Sequence, residues 1–295
     1  MVQKLKDFVL PIAILLGLLF HSFFGKLGSL VPWLVFFMLY FTLCSIDIKK
    51  IRISMLHIWV LIFQILISIC VYYIIKPFDE TIAQGVLVIM VSPTATSAPV
   101  IAAMLGANIN TMVSSILLSN IAVTLVSPLY FSWAGPQSDI PFLYSSWLVF
   151  KKVAPLIIIP LVMAIVTQRY LPNVSDTFKK HKNISFYLWS ASLTIVVGRT
   201  IDFIFQMGNS ALKLLIYMAI TSAVICFIQF AFGRIIGKRY GDSVAGGQSS
   251  GQKNTVLAIW MAQTYMSPLS SVVPALYVLW QNIYNSWQIW RKRKK

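Results

Sequence analysis

The chain has 295 residues, of which 58% are hydrophobic and only 11% charged, and its mean hydropathy is +0.79. A soluble domain carries about a quarter of its residues charged, and surface-to-volume scaling leaves too little interior to hide this much apolar surface. The composition therefore excludes a soluble fold, and the solvent for most of the surface is lipid.

The formal net charge of +16 comes from 24 Lys and Arg against 8 Asp and Glu. The basic residues fall in short clusters between apolar runs, without the interleaved exposed aromatics of a nucleic-acid face, so nucleic acid is excluded as a partner. Anionic headgroups and the positive-inside rule account for the charge. Cys44, Cys70 and Cys226 have no metal-ligand spacing and read as small apolar helix residues.

A membrane-crossing helix needs about 20 apolar residues. Ten candidate spans follow in chain order, at roughly 8–25, 28–46, 53–75, 82–105, 111–133, 152–170, 184–206, 210–233, 241–265 and 268–290. The first has a basic start but no small-residue cleavage site, so it reads as a span and not as a removable signal. With a cytoplasmic N-terminus, seventeen Lys and Arg fall on the inner side, including Arg52, Arg169, Arg234 and the tail Arg291 to Lys295. Six fall outside, and Lys253 lies within a span. That bias predicts an integral membrane protein, of bacterial inner-membrane type, with both termini cytoplasmic and an even number of spans.

An internal repeat supports the count. The stretch Lys6 to Ile12 resembles Phe150 to Leu156, at an offset of 144. Each half then holds five spans, an odd number, so the second half is inverted relative to the first. The predicted fold is an all-α membrane protein of ten transmembrane helices in two inverted five-helix repeats, with discontinuous helices four and nine crossing.

The breaks are read from the residues. Span four contains Pro93-Thr94-Ala95-Thr96-Ser97-Ala98-Pro99, and two prolines six apart cannot sustain a regular helix. Span nine contains Gly246-Gly247-Gln248-Ser249-Ser250-Gly251-Gln252-Lys253-Asn254-Thr255, where three glycines are expected to loosen the backbone. Irregular backbone at membrane depth is tolerated only where it is buried in protein or lines a wet cavity. A break in the same relative span of both halves therefore marks a binding site.

These residues resemble the bile acid:sodium symporter family. The family's ninth span has the pattern Glu-x-Gly-x-Gln-Asn-[Ser/Thr]-x-Leu-Ala, against Ser249-Ser250-Gly251-Gln252-Lys253-Asn254-Thr255-Val256-Leu257-Ala258 here. Its tenth span resembles Val273-Pro274-Ala275-Leu276-Tyr277-Val278-Leu279-Trp280-Gln281-Asn282, and Ser127-Pro128 matches the end of span five. The match in span four is loose. The resemblance implies a panel domain (1–52 and 146–208), a core domain (53–135 and 209–290) and a basic tail (291–295). Organic anions, bile-acid-like or small carboxylates, would bind beside the crossing, and one domain would move against the other in alternating access.

The resemblance also implies two sodium sites, and here the residues depart from it. The acidic ligand of span nine is Ser249, its Gln is Lys253, and the Ser-Asn pair of span four is Ala98-Pro99. Gln64 falls where the family places an ion-ligating Gln, and Asn120 where a span-five Thr would ligate. The expected substrate and ion residues are Gln64, Thr94, Thr96, Ser97, Asn120, Gln248, Ser249, Gln252, Lys253, Asn254 and Thr255, with Arg199 as a further anion contact. Sodium coupling is expected to be weakened or replaced by Lys253. An uncoupled facilitator and a proton-coupled transporter of the same fold are the alternatives. A bound anion would give Lys253 the charge partner it lacks and so link anion binding to protonation. No cofactor is expected. The chain also lacks the paired acids and activated nucleophiles of a membrane enzyme. Arg199 and Asp202, three apart, can pair on one helix face, and His21 and His57 read as packing residues.

Overall fold

The computed structural model describes residues 12–44, 52–135, 141–180, 183–206 and 211–294. Lys4, Lys6, Lys49, Lys50 and most of the Lys6–Ile12 motif lie outside the described residues. Every described element is helical. They are α1 (residues 12–19), α2 (His21–Lys26), α3 (Val31–Cys44), α4 (Met55–Ile62), α5 (Ser68–Ile75), α6 (Glu80–Val91), α7 (Ala98–Met104), α8 (Ile109–Ala134), α9 (Phe142–Tyr170), α10 (Pro172–Lys180), α11 (Asn183–Gln206), α12 (Ala211–Arg239), α13 (Ser243–Gly251), α14 (Thr255–Tyr265) and α15 (Val272–Arg293).

Among the described residues, six helical stretches are long and apolar enough, by length and composition alone, to cross a bilayer: His21–Cys44, which includes the 3₁₀ turn Leu27–Leu30, Met55–Ile75, Ile109–Ala134, Phe142–Tyr170, Tyr187–Phe205 and Leu212–Arg239. The chain is thus an all-helical membrane protein. Four of the ten expected spans are not in that set: the fourth and ninth are each divided into two shorter helices, α6 with α7 and α13 with α14, the first lies partly outside the described residues, and the tenth, α15, is too polar along its length.

The helices fall into two compact units. Unit 1 comprises Met1–Asp47 and Ala154–Leu212, and unit 2 comprises Ile48–Val153 and Lys213–Lys295. In unit 1 the chain follows α11 and then turns back. A Cβ on Gly17 would lie 2.9 Å from the Thr194 carbonyl oxygen, one on Gly25 would run into Asp202, and one on Gly28 would meet Arg199. Contacts therefore advance along α11 from 194 to 202 and return to 199. The reversal takes place through the tight 3₁₀ turn Leu27–Leu30.

In unit 2 the first break begins where Pro93 forbids another helical turn. The residue before a proline is pushed into extended backbone, and Ser92 has φ −58° and ψ 146°. Helix resumes at Ala98, with Pro99 in the first turn, where its missing N–H costs nothing. The second break is shorter than the glycines suggested. The helix continues through Gly246, Gly247 and Gly251, and only Gln252–Asn254 is extended. The glycines do not loosen this helix. They let it press against α12, where Gly246 faces Gly233 and Gly237, Gly247 faces Arg234, and Gly251 lies on the Phe230 ring. Small residues four apart allow close backbone approach between helices in lipid.

Candidate functional site

Each break exposes backbone groups that lipid cannot satisfy, and the two breaks satisfy one another. Residues Pro93–Ala95 and Gln252–Asn254 pair antiparallel around Thr94 and Lys253. Ala95 N–H donates to the Gln252 carbonyl at 2.8 Å, and Asn254 N–H donates to the Pro93 carbonyl at 2.9 Å. The central residue of each break also finds a side-chain acceptor on the next long helix. Thr94 N–H donates to Ser119 Oγ of α8 at 3.0 Å, and Lys253 N–H donates to Gln281 Oε1 of α15 at 3.1 Å.

The two central side chains act alike as well, each reaching the C-terminal end of the opposite half-helix. Thr94 Oγ1 donates to the Ser249 carbonyl near the end of α13 at 2.8 Å. Lys253 Nζ donates to the Met90 carbonyl at 2.8 Å and the Ser92 carbonyl at 2.9 Å, at the end of α6. A helix leaves its last four carbonyls without intrahelical partners and carries partial negative charge there. An ammonium is therefore well placed at that end. Lys253 is 1% exposed, and among the described residues its Nζ pairs with no carboxylate.

Gln64 converges on the same carbonyls. A single wider π turn, Phe63–Ile67, carries it, and such turns often mark functional positions. Its Nε2 donates to the Val91 carbonyl at 2.5 Å and the Ser92 carbonyl at 3.0 Å. Two donor side chains thus converge on the carbonyls of residues 90–92, and both reach Ser92.

The other expected residues divide into three groups. Ser249, Gln248, Gln252, Asn254, Thr255 and Asn120 are buried in unit 2 with Thr94 and Gln64, whereas Thr96 is half-buried and Ser97 exposed. Arg199 lies in unit 1. Ser249 shares a 2.6 Å hydrogen bond with Ser115 Oγ and lies 3.6 Å from Met112 Sδ. A thioether and two hydroxyls make a poor environment for a hard monovalent cation, which favours charged or carbonyl oxygen. Several buried polar atoms around the breaks have no hydrogen-bond partner: Gln64 Oε1, Asn120 Oδ1, Gln248 Oε1, Asn254 Nδ2 and Thr255 Oγ1. Such atoms cost roughly 1–3 kcal/mol each when left unmade, and a passing solute could satisfy them.

Sequence reading missed a second layer. Gln248 Nε2 donates to Asn285 Oδ1 at 2.8 Å, and Asn285 Nδ2 donates to Gln252 Oε1 at 2.5 Å. Gln288 Nε2 reaches Asn285 Oδ1 at 3.4 Å, and Arg234 donates to Gln288 Oε1. Gln281, Asn285 and Gln288 recur at helical spacing on one face of α15, a polar stripe visible in the sequence that could have revealed this layer. His57 is held as a cap, taking the Ser54 N–H at Nδ1 and lying 3.0 Å from the Thr111 carbonyl through Nε2. Asp202 does not pair with Arg199. Its partner among the described residues is His21, whose ring is thus held by a polar contact as well as by packing on Phe205.

Two broken helices that meet inside a helical membrane unit are the arrangement of a solute transporter, in which half-helix ends and unwound backbone form the binding site. Residues 32–207 match the Sodium Bile acid symporter family, and the chain belongs to that family, whose members are transporters and not enzymes. No curated protein matches the chain. The matched stretch includes the first break and Gln64, and it ends before the second break and Lys253.

Proposed function

We propose that the protein is a secondary transporter of organic anions, working by alternating access, in which the Lys253 ammonium takes the place of a coupling sodium. The observation that carries this reading is the Lys253 Nζ hydrogen-bonded to the Met90 and Ser92 carbonyls beside Gln64. In this family such a carbonyl end is expected to face an ion, and here a cation is tethered to it. A sodium about 4 Å from that ammonium would be repelled by roughly 4 kcal/mol at an effective dielectric near 20. That is about a thousandfold in affinity.

The α6 carbonyls accept hydrogen bonds from the Lys253 ammonium but carry no formal charge, so a bound anion would still supply the charge partner it lacks. Lys253 thus stays the group that would link anion binding to proton uptake in this reading. The matching roles of Thr94 with Ser119 and Lys253 with Gln281 support an inverted repeat, with unit 2 as core and unit 1 as panel. A positive crossing without carboxylates favours an anionic solute, and the family points to bile-acid-type or small carboxylate substrates.

The test is uptake of taurocholate into proteoliposomes, with sodium compared against N-methylglucamine. Uptake is expected to be saturable and equal in the two media. Steep dependence on sodium with a slope of two would contradict the reading. Concentrative uptake under an imposed pH gradient separates a proton-coupled carrier from a facilitator, which only equilibrates the solute.

A further inference from the structure

Unit 1 holds a second charged cluster that the crossing does not use. The chain reversal at Leu27–Leu30 places two glycines, three apart, against the end of α11. Gly25 leaves the space that the Asp202 carboxylate fills, and Gly28 the space taken by Arg199, whose Nη1 would be 2.8 Å from a Cβ there. Asp202 Oδ1 is paired with His21 Nδ1, and the two side chains are 27% and 29% exposed. The His21 ring lies against Phe205 at 4.9 Å. Arg199 lies over the Phe203 ring at 5.7 Å and has no carboxylate partner among the described residues. Of the elements packed on α2 within this unit, α11 contributes Arg199 and Asp202 and the Leu27–Leu30 turn no charge, while α2 itself carries only Lys26 besides His21.

We propose that His21, Asp202 and Arg199 form a proton-gated site for an amphipathic organic anion, carboxylate or sulfonate. Asp202 sits three residues from Arg199 on one helix, so its carboxylate can serve either neighbour. Protonated His21 claims Asp202, the trio carries a net charge of about +1, and the guanidinium keeps its charge for an anion. Neutral His21 releases Asp202 to compensate Arg199, the trio falls to about zero, and an incoming anion meets a carboxylate. By linkage, the anion and the proton strengthen each other's binding. The site takes its substrate class from the proposed transport function but does not depend on Lys253.

Taurocholate is the probe, because its sulfonate stays ionised throughout, and binding to purified full-length protein is measured by calorimetry without sodium. Wild type is expected to bind roughly tenfold more tightly at about pH 5.5 than at about pH 8. His21→Gln should bind weakly at both pH values, Asp202→Asn tightly at both, and Arg199→Gln at neither. A merely structural ion pair predicts that Asp202→Asn weakens the protein without flattening its profile. Wild-type binding that is absent or independent of pH, or an Asp202→Asn variant that keeps the pH step, overturns the proposal. Failure of the Lys253 reading would appear instead as a sodium response, which these sodium-free measurements do not contain.

Discussion

Gly246→Val is expected to abolish stable folding of the crossing. A Cβ at Gly246 would run into the Gly233 carbonyl oxygen and lie 2.7 Å from the Gly237 Cα. These are backbone atoms of a neighbouring helix and cannot turn aside as a side chain can. Overpacking in a core typically costs 1–3 kcal/mol, and a clash between two backbones lies at or beyond the top of that range. The α12–α13 pair must separate, which pulls Gln252–Asn254 away from Pro93–Ala95. The control is Gly241→Ala at the turn between the same helices. Gly241 has φ +84° and nothing within 4 Å of an added Cβ, so only backbone strain of about 1–2 kcal/mol is expected. Thermal unfolding in detergent should show a modest loss for Gly241→Ala and no well-folded species for Gly246→Val. Equal effects would mean that close helix packing does not hold the second break in place.

Lys253→Gln should convert a protein indifferent to sodium into one that responds to it. Removing the ammonium frees the Met90 carbonyl and one acceptor site of the Ser92 carbonyl, beside a Gln64 Oε1 that already lacks a partner, so oxygen ligands gather where a cation was. No carboxylate is added, so the new site should be weak. At a sodium concentration about ten times its dissociation constant, it would stabilise the fold by about 1.4 kcal/mol. The expected result is a rise in melting temperature with sodium over potassium, seen in the variant and not in wild type. If sodium leaves the variant unchanged, the carbonyls of residues 90–92 are not an ion site held by lysine.

How far the sequence could be read depended on whether the deciding partner was local. Pro93 and Pro99 announce the first break by themselves, because proline acts on its own turn. The second break was placed too early because Gly246 and Gly247 can mean either loose backbone or close packing. Their partners Gly233 and Gly237 decide between the two, and that pairing exists only in three dimensions. Lys253 is legible as an anomaly, a cation where an amide belongs, but its acceptors are backbone carbonyls, created only where α6 stops. His21 and Asp202 lie 181 residues apart, and nothing local distinguishes that histidine from a packed one.

The central claim is that a tethered ammonium excludes sodium from the crossing, and direct binding of ²²Na⁺ to the purified wild-type protein tests it most closely. The account predicts no saturable sodium binding to wild type, with a weak saturable site appearing in Lys253→Gln. Saturable binding of sodium to wild type, approaching two ions per chain, would show that the cation sites are intact and that Lys253 does not occupy one of them.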